Sequence, residues 1–250
     1  MRVCIAGAAA VWLTATPVLA QNPEVTGPRT LTAAAVMCTN LPVVHKPIPR
    51  LKVFGPHAAD GHLVSTNGML VVKRLPDDGL VVGKRYSAQR LSEDLRGFGA
   101  KNEGYGDLRV TGWVTVYAID SINALVEVDF ACDTIEIGDM LEPYVELTLP
   151  SAAAPMEAPD FSDRANVLFG ADRRVAFGDG DVMSIERGTS HGVVPGARYA
   201  FYRDFRNGLP LVHVGEAVVL ETAEQTSKVA VTRVIDAIQP GDIAVPRRKP

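Results

Sequence analysis

Residues 74–90 read Arg-Leu-Pro-Asp-Asp-Gly-Leu-Val-Val-Gly-Lys-Arg-Tyr-Ser-Ala-Gln-Arg, and residues 187–203 read Arg-Gly-Thr-Ser-His-Gly-Val-Val-Pro-Gly-Ala-Arg-Tyr-Ala-Phe-Tyr-Arg. At an offset of 113, seven of these 17 positions are identical: Arg74/Arg187, Gly79/Gly192, Val81/Val194, Gly83/Gly196, Arg85/Arg198, Tyr86/Tyr199 and Arg90/Arg203. Further on, Gly138-Asp139 matches Gly241-Asp242 and Pro143 matches Pro246, now at an offset of 103. Upstream, Val53-Phe54-Gly55 is similar to Leu168-Phe169-Gly170. The offset changes between Arg90 and Gly112, where the first copy carries a longer connection than the second has between Arg203 and Gly215. One unit of about 90–100 residues is therefore used twice.

Each unit reads as strands. Trp113–Ile119 is β-branched and aromatic, and Ala124–Phe130 alternates, with Val126, Val128 and Phe130 on one face and Glu127 and Asp129 on the other. Glu216–Leu220 and Lys228–Val234 repeat the pair, and Met69–Lys73, Arg85–Gln89, Val182–Glu186 and Arg198–Tyr202 supply further short strands. Asp78-Gly79 and His191-Gly192 are turn residues that tolerate positive φ, and Gly83 and Gly196 mark a second change of direction four residues on. Gly138 and Gly241 are expected to make the same kind of turn before the last strand. The expectation is an all-β protein of two small SH3-like or half-open β-barrel modules in tandem.

The flanks set the boundaries. Met1 and Arg2, an apolar run from Val3 to Leu13, and Val18-Leu19-Ala20 before Gln21 form the pattern of a cleavable export signal over 1–20. Residues 21–50 read as an irregular arm, 51–149 as the first module, the Ala/Pro-rich stretch 150–162 as a linker, and 163–250 as the second module. Loss of residues 1–20 removes Cys4 and leaves Cys38 and Cys132, which in an exported chain are most simply one disulfide stapling the arm to the module after it. That predicts a protein exported from the cytoplasm. No segment of the mature chain is long and apolar enough to span a bilayer.

Composition removes several classes. At 47% hydrophobic and 22% charged, the 250 residues are neither disordered nor a disulfide-dense scaffold. With 25 Lys+Arg against 29 Asp+Glu the chain is mildly acidic, and losing Arg2 makes the mature net charge −5, so nucleic acid is not expected as a partner. The Gly-x-Val-x-Gly-x-Arg-Tyr motif does not open a helix and lacks the Lys-Ser/Thr of a phosphate loop, so no nucleotide cofactor follows from it.

The stretch 180–199, Gly-Asp-Val-Met-Ser-Ile-Glu-Arg-Gly-Thr-Ser-His-Gly-Val-Val-Pro-Gly-Ala-Arg-Tyr, with 238–245, Ile-Gln-Pro-Gly-Asp-Ile-Ala-Val, resembles the C-terminal module of the bacterial flagellar assembly protein T family. Related modules accompany LysM peptidoglycan-binding domains in other envelope proteins. The resemblance covers about 166–246 well and 51–144 more loosely; Leu75 and Pro76 replace the Gly-x of the motif in the first copy, and Gly68 stands where its Asp would be. It implies a non-enzymatic β-barrel module used for scaffolding or docking, with envelope proteins or peptidoglycan as partners.

Sites of chemistry are few. His57, Asp60 and His62 form the one cluster of metal-ligand type, in a Gly/Pro-punctuated loop, and without further ligands they predict no metal site. No Gly-x-Ser-x-Gly elbow occurs, and Asp77-Asp78 and Glu93-Asp94 lie in loops. A binding surface is expected instead around the long 92–111 connection, with Phe98, Tyr105 and Trp113 as its aromatics. The tail Arg247-Arg248-Lys249 reads as solvated. The leading reading is a non-catalytic exported scaffold, adaptor or assembly factor that needs no cofactor. A carbohydrate- or peptidoglycan-binding protein and a hydrolase around His57, Asp60 and His62 are the alternatives.

Overall fold

The computed structural model of the chain describes residues 31–43, 49–57, 66–92, 106–150, 157–170 and 174–248. Residues 1–20, expected to be an export signal, and Asp60, His62, Phe98 and Tyr105 lie outside the described residues. In chain order the elements are α1 (Ala33–Met37), β1 (Leu41–Val43), β2 (Val53–Pro56), β3 (Met69–Lys73), β4 (Arg85–Ser92), β5 (Gly106–Ile119), β6 (Asn123–Ala131) and β7 (Met140–Pro143). They continue as β8 (Ala158–Pro159), β9 (Ala165–Gly170), β10 (Val182–Ile185), β11 (Arg198–Arg203), β12 (Val212–Thr222), β13 (Ser227–Val234) and β14 (Ile243–Arg248).

The two sheets have one topology. The first runs β2-β3-β6-β5-β4-β7, and the second β9-β10-β13-β12-β11-β14, with each neighbouring pair antiparallel. In the second, β14 pairs β9 as well as β11, so six strands close into a barrel and leave it no unpaired edge. In the first, the ends meet through the single bridge Lys52↔Met140 flanked by the bond from Leu141 N to Leu51 O, which makes a half-open barrel. Val53 N donates to Asp139 O as Val167 N does to Asp242 O, so Val53 corresponds to Val167 and not, as the upstream sequence match implied, to Leu168.

Each barrel has its own core. Leu70, Val72, Val114, Val116, Val126, Val128 and Ile135 fill the first, and Met183, Ile185, Ala217, Val219, Val229, Val231 and Ile238 stand at the corresponding places in the second. The alternation of Ala124–Phe130 holds only to Val128. The pairing register shifts between Trp113 and Val114, and Phe130 leaves the interior at 39% exposure. The six repeated turn glycines all have left-handed backbones: φ is 69° and 72° at Gly79 and Gly192, 80° and 89° at Gly83 and Gly196, and 94° and 90° at Gly138 and Gly241.

Three segments differ from the sequence expectation. The arm is partly ordered: Thr32 caps α1 by accepting from Ala35 N, and β1 pairs β5 from Leu41↔Leu108 to Val43↔Gly106. The long connection is shorter than expected, because residues 106–111 already belong to β5, where Arg109 and Leu108 pair with Arg90 and Leu91. Arg247 and Arg248 are not a tail but the end of β14, facing Pro159 and Ala158 of β8.

Candidate functional site

Two features stand out once the barrels are superposed in sequence, and the first is repeated. The first is a clamp beside the closing turn. Arg90 in β4 donates through Nε at 2.7 Å and through a terminal nitrogen at 2.9 Å to the two carboxylate oxygens of Asp139, and also to Thr134 O. Arg203 in β11 donates to Asp242 at 2.9 and 2.8 Å and to Ala237 O in the same pattern. Each carboxylate also accepts a backbone amide, from Glu136 N or Gln239 N, and is nearly sealed from water at 2% and 5% exposure. The bidentate carboxylate holds each guanidinium in its charged form, its pKa raised despite partial burial. Both partners were visible in the sequence as repeated residues. Their pairing was not, because 49 and 39 residues separate them.

A second feature joins the copies. The arm lies between the barrels. Cys38, just past α1, is disulfide-bonded to Cys132 at the end of β6, across a sequence separation of 94 residues. Asn40 Nδ2 donates to Asp107 at 2.7 Å and Tyr144 Oη to Met37 Sδ at 3.7 Å, which fix the arm to the first barrel. On its other side Val36 is completely buried among Val218, Leu220 and Ala230, on the outer face of β12 and β13. Thr226 Oγ1 donates to Pro42 O, and Lys228 Nζ reaches Val36 O at 3.4 Å and Glu221 at 3.0 Å. Lys228 is 2% exposed, and burial pulls its ammonium pKa below the ordinary 10.5 against the opposing pull of Glu221.

A cavity of about 360 Å³ opens where the three parts meet. Met37, Leu41 and Val43 of the arm line it, with Ser87, Gln89 and Val110 of the first barrel and Glu221, Ala223, Glu224 and Gln225 of the β12–β13 hairpin. A second, of about 430 Å³, lies on the first barrel beside the 75–79 turn, where Tyr86 Oη donates to Gly79 O at 2.8 Å. Asp78 in that turn accepts from Arg74, Leu75 N and Leu80 N, and chiefly the Arg74 bond holds its carboxyl below the usual range.

The aromatic expectation divides. Trp113 is 8% exposed, stacked on Phe130 with ring centres 4.6 Å apart and in tilted contact with Tyr144 at 5.9 Å. It packs a cluster on the barrel's outside and offers only a sliver of its ring to solvent. His57 is exposed beside β2, and its N–H bonds Met69 O. His191 lies in the short 3-10 turn Thr189–His191, its Nδ1 3.0 Å from Ser190 Oγ. Among the described residues no group of three or more His, Cys, Asp or Glu is placed to hold a metal ion, and no helix is long and apolar enough to cross a membrane. Compared with known proteins, the chain matches no family model and no curated protein.

Proposed function

We propose that the protein is a non-catalytic scaffold or adaptor of the bacterial cell envelope, exported and built from two β-barrel modules held at a fixed spacing by the arm. The observation that carries this reading is what the two copies share and what they do not. The shared residues are frame: turn glycines, the Arg–Asp clamps and the core. The outer faces have diverged. Where the first barrel carries Trp113, Phe130 and Tyr144, the second carries Glu216, Arg233 and Arg247 at the same strand positions. A frame kept constant under two dissimilar faces suits a protein that presents two surfaces to two neighbours. The disulfide supports an oxidising compartment.

The test is crosslinking in place. A photo-reactive residue at Tyr117, which is 64% exposed on the first barrel, and another at Phe205, 58% exposed on the second, should each give discrete and different protein adducts in intact cells. Pelleting of the purified protein with sacculi, with no protein adducts, would replace this reading by peptidoglycan binding. Turnover of a cell-wall or ester substrate that is lost on His57→Ala would replace it by a hydrolase.

A further inference from the structure

We propose that the edge of the first barrel from Pro143 to Val145 is a strand-addition site, and that it takes an extended segment of a partner protein carrying lysine or arginine. The inference deepens the adaptor reading, on which it rests for the partner being a protein.

The second barrel shows the same edge filled. There β8 lies along the last strand, with Pro159 against Arg247 and Ala158 against Arg248, and Asp160 N donates to Pro246 O at 2.8 Å. Pro246 corresponds in the repeat to Pro143, so Arg247 and Arg248 correspond to Tyr144 and Val145. Leu141 turns its amide to Leu51 O and Tyr144 turns its own to Arg85 O. Backbone groups of successive residues in an extended chain face opposite ways, so Pro143 O and the Val145 N–H lie on the Leu51 side, the side that β8 takes in the other copy. Among the described residues no strand pairs with 143–145 on that side, and Val145 is 76% exposed. The edge is also held in place: the Tyr144 ring rests against Trp113 and beneath the Arg85 guanidinium, and Leu147 packs beside Val36 on the second barrel. A fixed, open edge offers main-chain hydrogen bonds to any extended chain, and the groove beside it selects by side chain.

The charge of that groove is reversed between the copies. In the second barrel the segment filling it is acidic and its bed is basic. Asp163 pairs with Arg187 at 2.9 Å and with Arg248 at 2.6 Å, and Asp160 lies 3.5 Å from Arg248. In the first barrel the cavity of about 430 Å³ beside β7 is lined by Asp77, Asp78 and Glu142, with Arg50 as the one cation in its lining. Arg74, the counterpart of Arg187, is bonded to Asp78 at 3.0 Å, and Tyr144 and Val145 stand in place of the two arginines of the bed. An acidic segment like 158–163 is repelled here, and a basic one is attracted.

The experiment is an NMR titration of the purified, disulfide-bonded protein with two capped peptides. One has the sequence of residues 158–163, Ala-Pro-Asp-Phe-Ser-Asp, and the other carries Asp160→Lys and Asp163→Lys. The lysine peptide should shift the amides of Val145 and Gly79, bind at least about tenfold more tightly than the other, and lose most of that margin at about 0.5 M salt. Val145→Pro removes the edge N–H, and Asp77→Asn with Glu142→Gln removes two carboxylates from the groove. Each should weaken the lysine peptide at least about fivefold with the thermal midpoint of the protein unchanged. The proposal is overturned if no shift reaches Val145, if the two peptides bind equally, or if Val145→Pro leaves binding intact. Discrete adducts at Tyr117 in cells without peptide binding overturn this inference alone. Peptide binding without adducts in cells supports the site and counts against the adaptor reading.

Discussion

The two barrels solve the same packing problem with opposite choices. In the first, Ala88 of β4 faces Leu141 of β7; in the second, the corresponding pair is Phe201 of β11 against Ala244 of β14. All four are buried, at 3% exposure or less. Small-against-large in one copy becomes large-against-small in the other, so the space between the strands is filled either way. The outer faces show the same freedom in polarity. The contact of Trp113 with Tyr144 is replaced by a 2.7 Å ion pair between Glu216 and Arg247. A barrel of this kind specifies volume and backbone turns strictly, and the chemistry of its surfaces hardly at all.

That comparison can be broken most forcefully in the core. Phe201→Ala should cost the second barrel about 3–5 kcal/mol, as large aromatic truncations do, while Phe201→Ala with Ala244→Leu should recover most of it by adopting the first barrel's arrangement. Urea denaturation followed by circular dichroism reads both variants, and a double variant no better than the single one would mean the exchange is not a matter of volume. In a chain without Trp12, Trp113 reports the first barrel separately by its fluorescence.

The clamps come next. Asp242→Ala leaves Arg203, whose side chain is only 14% exposed, with the exposed Asp236 as its remaining carboxylate and should cost about 3 kcal/mol; Asp139→Ala should cost less, since Arg90 at 32% can turn to water. Equal losses by thermal unfolding would show that burial of the cation does not set the difference.

The third contrast concerns the repeated tyrosines. Burial, aided by Asp163, pushes Tyr199 up to about 12, so the folded state keeps its proton at a pH where the unfolded chain has lost it. The stability this contributes is complete below pH 10 and declines as pH rises from 10 to about 12, by roughly 2–3 kcal/mol in all. A stability-against-pH series on Tyr199→Phe should therefore be flatter over that interval than the parent, and parallel curves would refute the assignment.

The smallest effect is expected at Lys228, where the first barrel has Leu125. Lys228→Leu removes a buried ammonium and leaves Glu221, 39% exposed, free to solvate, so stability at pH 7 should change by no more than about 1 kcal/mol in either direction. Because burial lowers the lysine pKa, the unfolded state binds the extra proton between the folded value and 10.5. The parent therefore gains stability with pH over that window and the variant does not. A large loss at pH 7 would mean the grip on Val36 O outweighs the cost of burying the charge.

Much of the frame was legible in the sequence because it is local. A turn glycine must sit where the chain reverses, and Gly79, Gly83 and Gly138 keep their places in the second copy as Gly192, Gly196 and Gly241 with φ values within 9° of their partners. Reading residues 1–20 as a signal left Cys38 and Cys132 with one intramolecular pairing, and those two cysteines are bonded. What was hidden lies in contacts between residues far apart in sequence. Arg90 and Asp139 showed as repeated letters without showing that they touch. Trp113 looked like an open aromatic because nothing nearby in sequence marks Phe130 and Tyr144 as its neighbours. The arm looked irregular because its order comes from burying Val36 in a barrel that begins more than a hundred residues later.

The closure of each barrel by its final strand has a consequence for the order of assembly. β7 must return to the segment before β2, and β14 to β9, so neither barrel can seal until its last strand has been delivered. A chain that emerges N-terminus first finishes the first barrel by Pro143, with Cys38 and Cys132 both already present, before any of the second is available. The arm's other anchor, Lys228 and the strands around it, arrives well after that, and β14 later still. Folding is then a sequence of long-range closures, slow in the way that non-local sheets are slow. Val36, near the start of the described chain, can be buried only once β12 and β13 exist to receive it.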